Sequence, residues 1–251
     1  SKLDFGTGMA RPVMQGYFNP NRSGHGRFLS QADSAWALVW YTYLEDGSPT
    51  WYLAANSAPT GNDGVWRAPL YRLTWNGSVS YADVVGEVLL TFESASRFTF
   101  SWLLDGQYGS EPFQMAASPS CPSVGGAPVS YSGAWANPAE SGWGFSVTAV
   151  SVAEADAAYV FDSAGVARWL LGVTTTPGAA VTIPLLQHRG FCPTCAFSGV
   201  TTSQAGTLTR NYANKAGGTA TINIGWLQGV PGTWARSNAT QQKITVDMPC
   251  Q

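Results

Sequence analysis

The chain has 251 residues, of which 11% are charged, 45% apolar and 13% aromatic, with 11 Trp. That apolar content excludes a disordered chain, and the charge sum, 13 − 15 = −2, leaves no basic footprint for nucleic acid or for an anionic membrane surface. No apolar run reaches the length of a spanning helix, so membrane insertion by a helix is not expected.

In chain order, residues 1–14 read as an irregular lead-in. Short runs with period-two or continuous apolar character follow, each broken by Gly, Pro, Asn or Asp, and these are strand signals. They cover 26–30, 34–44, 50–56, 65–75, 83–92, 97–104 and 112–117. Asp46-Gly47 and Asp105-Gly106 mark tight turns between runs. No segment has a helical period. Residues 118–129, rich in Ser, Pro and Gly, read as a linker. Beyond it the runs are 133–136, 144–150, 157–162, 168–174, 181–187, 196–202, 207–212, 219–227 and 241–246.

The chain repeats itself. Asn19-Pro20-Asn21-Arg22-Ser23-Gly24-His25-Gly26 returns as Asn137-Pro138-Ala139-Glu140-Ser141-Gly142-Trp143-Gly144, a shift of 137 − 19 = 118. The same shift takes Tyr41 to Tyr159, Tyr43 to Phe161, Gly47 to Gly165 and Trp51 to Trp169. Later the register drifts, and Trp102 pairs with Trp226 at a shift of 124. The expectation is an all-β protein of two tandem antiparallel, about eight-stranded up-and-down barrels, with a sandwich as the alternative. The units are 1–117 and 131–251, joined by 118–130.

The repeated corner has a backbone rationale. Pro ends a strand ladder, Asn and Ser cap turn groups, and Ser-Gly-x-Gly permits a reversal that a Cβ would forbid. Its Asn and Ser also suit a ligand at a barrel mouth.

Asn-Pro-x-x-Ser-Gly-x-Gly, with Asp46-Gly47-Ser48-Pro49-Thr50-Trp51-Tyr52 downstream, resembles an uncharacterised repeat of secreted and cell-envelope proteobacterial proteins. This resemblance implies a secreted or periplasmic location and brings no activity. Separately, 133–141, 160–165 and 220–227 are similar to three strand signatures of avidins, in the order of an avidin-like, lipocalin-like eight-stranded barrel. By that resemblance Asn137, Ser141, Phe161, Ser163 and Trp226 face a ligand, as do Asn19, Ser23, Tyr43 and Trp102 of the first unit. Phe161 in place of a polar ring argues against biotin itself.

Four cysteines allow three pairings. Cys121 and Cys250 bracket the second unit, and Cys192-Pro193-Thr194-Cys195 sits in a short loop, so Cys121–Cys250 and Cys192–Cys195 disulfides are expected. A loop as long as the first stabilises by about 4 kcal/mol in the chain-entropy model. A redox pair would need a helix after Cys-x-x-Cys, and a zinc site would need a second such pair. No cofactor or metal is expected. His25 and His188 read as loop or surface residues. A triad is missing its nucleophile elbow. The carboxylates Glu45, Asp46, Asp105, Glu111 and Glu140 are the candidates for glycoside hydrolysis. Most Trp residues suit a core, whereas Trp143 in the corner and Trp66 beside a turn are expected exposed, free to stack on a ring or sugar face.

The functional expectation is a secreted bacterial, non-catalytic binding protein whose aromatic-lined barrels take a small molecule or glycan. A hydrolase is one alternative. An envelope or inhibitor protein with a protein partner is the other.

Overall fold

The computed structural model describes residues 10–250, and among these every regular element is a strand except one 3-10 turn at Pro20–Arg22. Residues 1–9 of the expected lead-in lie outside the described residues, and 10–15 are irregular. Strands β1 (Gly16–Phe18), β2 (Gly26–Ala32), β3 (Ala35–Tyr43), β4 (Pro49–Ser57), β5 (Val65–Trp75), β6 (Ser80–Ser94), β7 (Arg97–Leu104) and β8 (Gln107–Met115) run up and down. Pairing of Tyr17 with Met115 joins β1 to β8 and closes a barrel. A two-stranded hairpin, β9 (Ser123–Val124) and β10 (Ala127–Pro128), lies within the linker.

The second barrel consists of β11 (Gly133–Asn137), β12 (Glu140–Val150), β13 (Ala153–Phe161), β14 (Ala167–Thr174), β15 (Ala180–Arg189), β16 (Thr201–Tyr212), β17 (Gly217–Gly225) and β18 (Thr233–Lys243). Trp135 opposite Lys243 closes it. Closure at β1–β8 and at β11–β18 excludes the sandwich. Two run assignments are corrected. Residues 196–200 belong to a loop ahead of β16, and the last strand ends at Lys243, short of 246.

The duplication extends into irregularities. Residue Val85 is the extra residue of a bulge opposite Leu70–Tyr71, and Ala205 is its equivalent opposite Leu185–Leu186. Bulges are placed by design rather than chance. Gly86 pairs with Leu70 and Leu104, and Gly206 with Leu185 and Ile224. The late shift is thus 206 − 86 = 120, which makes Ile222 the counterpart of Trp102. The 124-residue match of Trp102 to Trp226 is a near-coincidence of loop lengths, since Trp226 lies just past β17.

Strand β7 shows how the first core forms. Phe98, Phe100, Trp102 and Leu104 alternate with outward residues and are all buried, the period of a half-buried strand. They meet Trp36, Trp40 and Phe113 inside the barrel. Arg27 also lies inside, its guanidinium 4.1 Å from the Phe113 ring, 4.4 Å from Phe100 and 4.7 Å from Trp40, with Glu111 at 3.4 Å. Strand β3 is apolar on both faces because Trp36, Leu38 and Trp40 face this core while Val39, Tyr41 and Tyr43 pack against the second barrel. The second barrel's interior is therefore continuous with the layer between the barrels.

Candidate functional site

The ten residues expected at the barrel mouths do not form one pocket. Asn19 caps the 3-10 turn, accepting from Asn21 N at 3.0 Å, and its amide reaches Glu111 at 3.5 Å. Asn137 likewise accepts from Ala139 N at 3.0 Å. Ser23, Ser141 and Ser163 are exposed. Tyr43 donates to Gly24 O at 2.7 Å and packs on Trp169. Trp102 packs on Trp40, and Trp226 is buried beyond the end of β17. Phe161 lies between Trp51 and Trp75, each 5.7 Å away. The aromatics expected to be exposed are buried: Trp143 donates to Glu140 at 2.9 Å, and Trp66 to Ser57 O at 3.0 Å. In both cases the indole N–H finds a local acceptor beside the turn. The corner is thus a turn motif: Gly24 and Gly142 hold φ of 114° and 94°, which a side chain would strain.

The barrels are filled. Arg27 occupies the first interior, and a void of about 10 Å³ lies within the second. A cavity of about 280 Å³ lies on the seam between the barrels. One wall is Phe18, His25 and Phe28 of the first unit, and Tyr41 and Trp169 close it near the contact layer. The other wall is Ser146, Thr148, Ala155 and Ala157, the outward residues of β12 and β13. These are small where the first unit has Phe28 and Val39 at the positions of Ser146 and Ala157, 118 residues earlier. Small residues on a covered face leave the volume unfilled, and the walls are predominantly carbon.

Both histidines line this cavity. His25 is buried in its loop rather than on the surface, with Nδ1 2.8 Å from Thr42 Oγ1 and its ring 4.5 Å from Phe191. Its Nε2 meets no partner in hydrogen-bonding geometry. Burial, reinforced by the charges of Arg27 and Arg22, lowers its pKa to about 3; the nearby Phe191 backbone opposes the shift. The ring is neutral across the physiological range. His188 stands half-buried on β15, stacked on Trp169 at 4.9 Å, with Nδ1 3.1 Å from Leu186 O. Burial lowers its pKa as well. Tyr41 and Ser146 share a 2.6 Å hydrogen bond across the seam. The site therefore offers an apolar slot with a few neutral polar groups. Its signal in the sequence was weak: the only two histidines, and a run of small residues on alternate positions of β12 and β13.

The candidate carboxylates are engaged elsewhere. Glu111 pairs with Arg22 at 2.8 Å, Glu140 with Arg236 at 2.8 Å, and Asp105 with Arg72. Asp46 caps Ser48 N at 2.9 Å, and Glu45 is exposed. A different pair was not anticipated. Glu154, Asp156 and Arg210 are buried inside the second barrel, where the first unit has Trp36, Leu38 and Leu90. Arg210 binds Glu154, while Asp156 has neither oxygen bonded to a donor. Burial, with the Glu154 charge beside it, raises the Asp156 pKa far above the carboxylate range. Tyr131 and Tyr212 roof the cluster, their rings 4.2 Å apart, and the void beside Asp156 and Arg210 is only about 10 Å³. No group of three or more His, Cys, Asp or Glu suited to a metal occurs among the described residues. Both expected disulfides are present, Cys121–Cys250 and Cys192–Cys195.

No protein-family model, no curated protein and no solved structure matches the chain.

Proposed function

We propose that the protein is a non-catalytic binding protein whose ligand is a compact, largely apolar, ring-bearing small molecule held in the cavity between the barrels. The observation that carries this is the cavity itself: about 280 Å³, close to the lower end for ligand sites, walled by aromatic rings with few polar groups. Such walls suit a hydrocarbon or aromatic ring better than a sugar, whose hydroxyls would lose water here without replacement. Two disulfides fit an oxidising compartment, and with the repeat-family resemblance they favour a secreted or periplasmic bacterial protein. Each barrel is closed and eight-stranded, and the cavity proposed for the ligand lies outside both.

The test is titration calorimetry against a panel of aromatic and alicyclic compounds, with Ala157→Phe as the control that fills the slot. Binding by the natural chain and its loss in Ala157→Phe are expected. A silent panel, or binding that Ala157→Phe leaves unchanged, refutes the proposal.

A further inference from the structure

The contacts between the barrels come in reciprocal pairs. Trp51 Nε1 donates to Val160 O at 3.0 Å, and Trp169 Nε1 donates to Thr42 O at 2.8 Å. These are one bond seen from both sides, since 51 + 118 = 169 and 42 + 118 = 160. Trp75 N donates to Gly165 O at 3.0 Å, and Gly190 N donates to Gly47 O at 3.0 Å. Here 47 + 118 = 165, and 75 + 115 = 190 by the offset that relates Leu70 to Leu185. Thr50 Oγ1 donates to Ala167 O at 2.9 Å, while Arg168, its counterpart, donates to Pro49 O at 3.1 Å. The rings follow the same rule: Trp51 to Tyr159 is 5.3 Å and Trp169 to Tyr41 is 5.6 Å. Gly47 and Gly165 both take positive φ, and a Cβ on either would strike a backbone carbonyl of the other barrel, at 2.9 and 2.0 Å.

A surface that contacts its own equivalent is the mark of a two-fold interface. We infer that each repeat carries a self-complementary docking face, formed by β3, β4 and the end of β5, whose partner is a second copy of that repeat. The chain is a two-fold dimer with its subunits joined end to end. All six bonds above end on backbone carbonyls, whose position is independent of the acceptor's side chain. Either repeat can therefore meet a copy of itself. First unit on first unit sets Trp51 against Thr42 O of the copy, and second on second sets Trp169 against Val160 O. The seam cavity is then an interface pocket, present on the side where Ser146 and Ala157 replace Phe28 and Val39.

The experiment introduces a protease site at exposed Ser118, upstream of Cys121, so that the Cys121–Cys250 disulfide stays within the second unit. After cleavage of the folded protein, the fragments are sized, then diluted, reconcentrated and weighed by native mass spectrometry. Co-elution at the mass of the intact chain is expected first, followed by pairs of each fragment with itself beside the mixed pair. Fragments that run apart, or mixed pairs alone, overturn the inference. In the uncut chain, Trp51→Phe and Trp169→Phe each remove one of the reciprocal bonds. Each is expected to raise the unfolding constant by about 10- to 100-fold, and by equal factors within about threefold. A larger inequality also overturns it.

Discussion

Lowering the pH from 7 to 5 tests the burial of His25 directly. Its folded pKa, about 3, lies below the ordinary 6.5. The unfolded chain therefore takes up the proton first, so the stability this ring contributes is full above pH 6.5 and drains away as pH falls toward 3. Between pH 7 and 5 the unfolded ring goes from about one-quarter to nearly full protonation while the folded ring takes up almost no proton, which amounts to about 2 kcal/mol lost. His188 acts with the same sign, and Asp156, whose pKa is raised, acts with the opposite one. The comparison is therefore with His25→Gln, which can still bond Thr42 but does not titrate. Urea unfolding of both proteins at pH 7, 6 and 5 isolates the difference. The natural chain should lose about 2 kcal/mol more than the variant over that span. Parallel curves would refute the claim that His25 is held neutral by burial.

Other outcomes follow from the buried charges and the disulfide. Asp156→Asn should stabilise the protein at pH 7 by about 1 kcal/mol or more, because it removes a carboxyl whose ionisation is disfavoured by burial and by Glu154. Since a raised carboxyl pKa supports the fold at low pH and costs stability as pH rises, that gain should vanish near pH 4, as thermal melts at both pH values will show. Replacing Cys121 and Cys250 together by Ser should cost about 4–5 kcal/mol, given a loop of 129 residues; a loss below about 1 kcal/mol in chemical denaturation would mean that the ends of the second barrel need no clasp.

The fold was legible because strand signals are local. Period-two runs, Asp-Gly turns and the repeated corner each act over a few residues, and closure into barrels follows from eight of them in succession. Boundaries failed where polarity misled: β18, Thr-Trp-Ala-Arg-Ser-Asn, is mostly outward-facing and lacks a strand's apolar face. The site was not legible, because it lies where the outer face of one barrel meets the other. Ser146, Ala155 and Ala157 look like ordinary solvent-facing residues until a second barrel covers them. Trp143 and Trp66 were expected outside because they sit beside turns, yet Glu140 and the Ser57 carbonyl satisfy their N–H groups and let the rings turn inward. The apolar character of both faces of β3 was a sequence cue to a covered outer wall.

The Cys121–Cys250 bond turns the second half of the molecule into a covalent ring, with the first half hanging from it as a tail. A single nick inside the ring leaves the polypeptide in one piece. A nick ahead of Cys121 releases the tail, unless the face it shares with the ring holds it in place. Against proteolysis the two halves are thus guarded by different means: one by a sulfur clasp, the other by its grip on its twin.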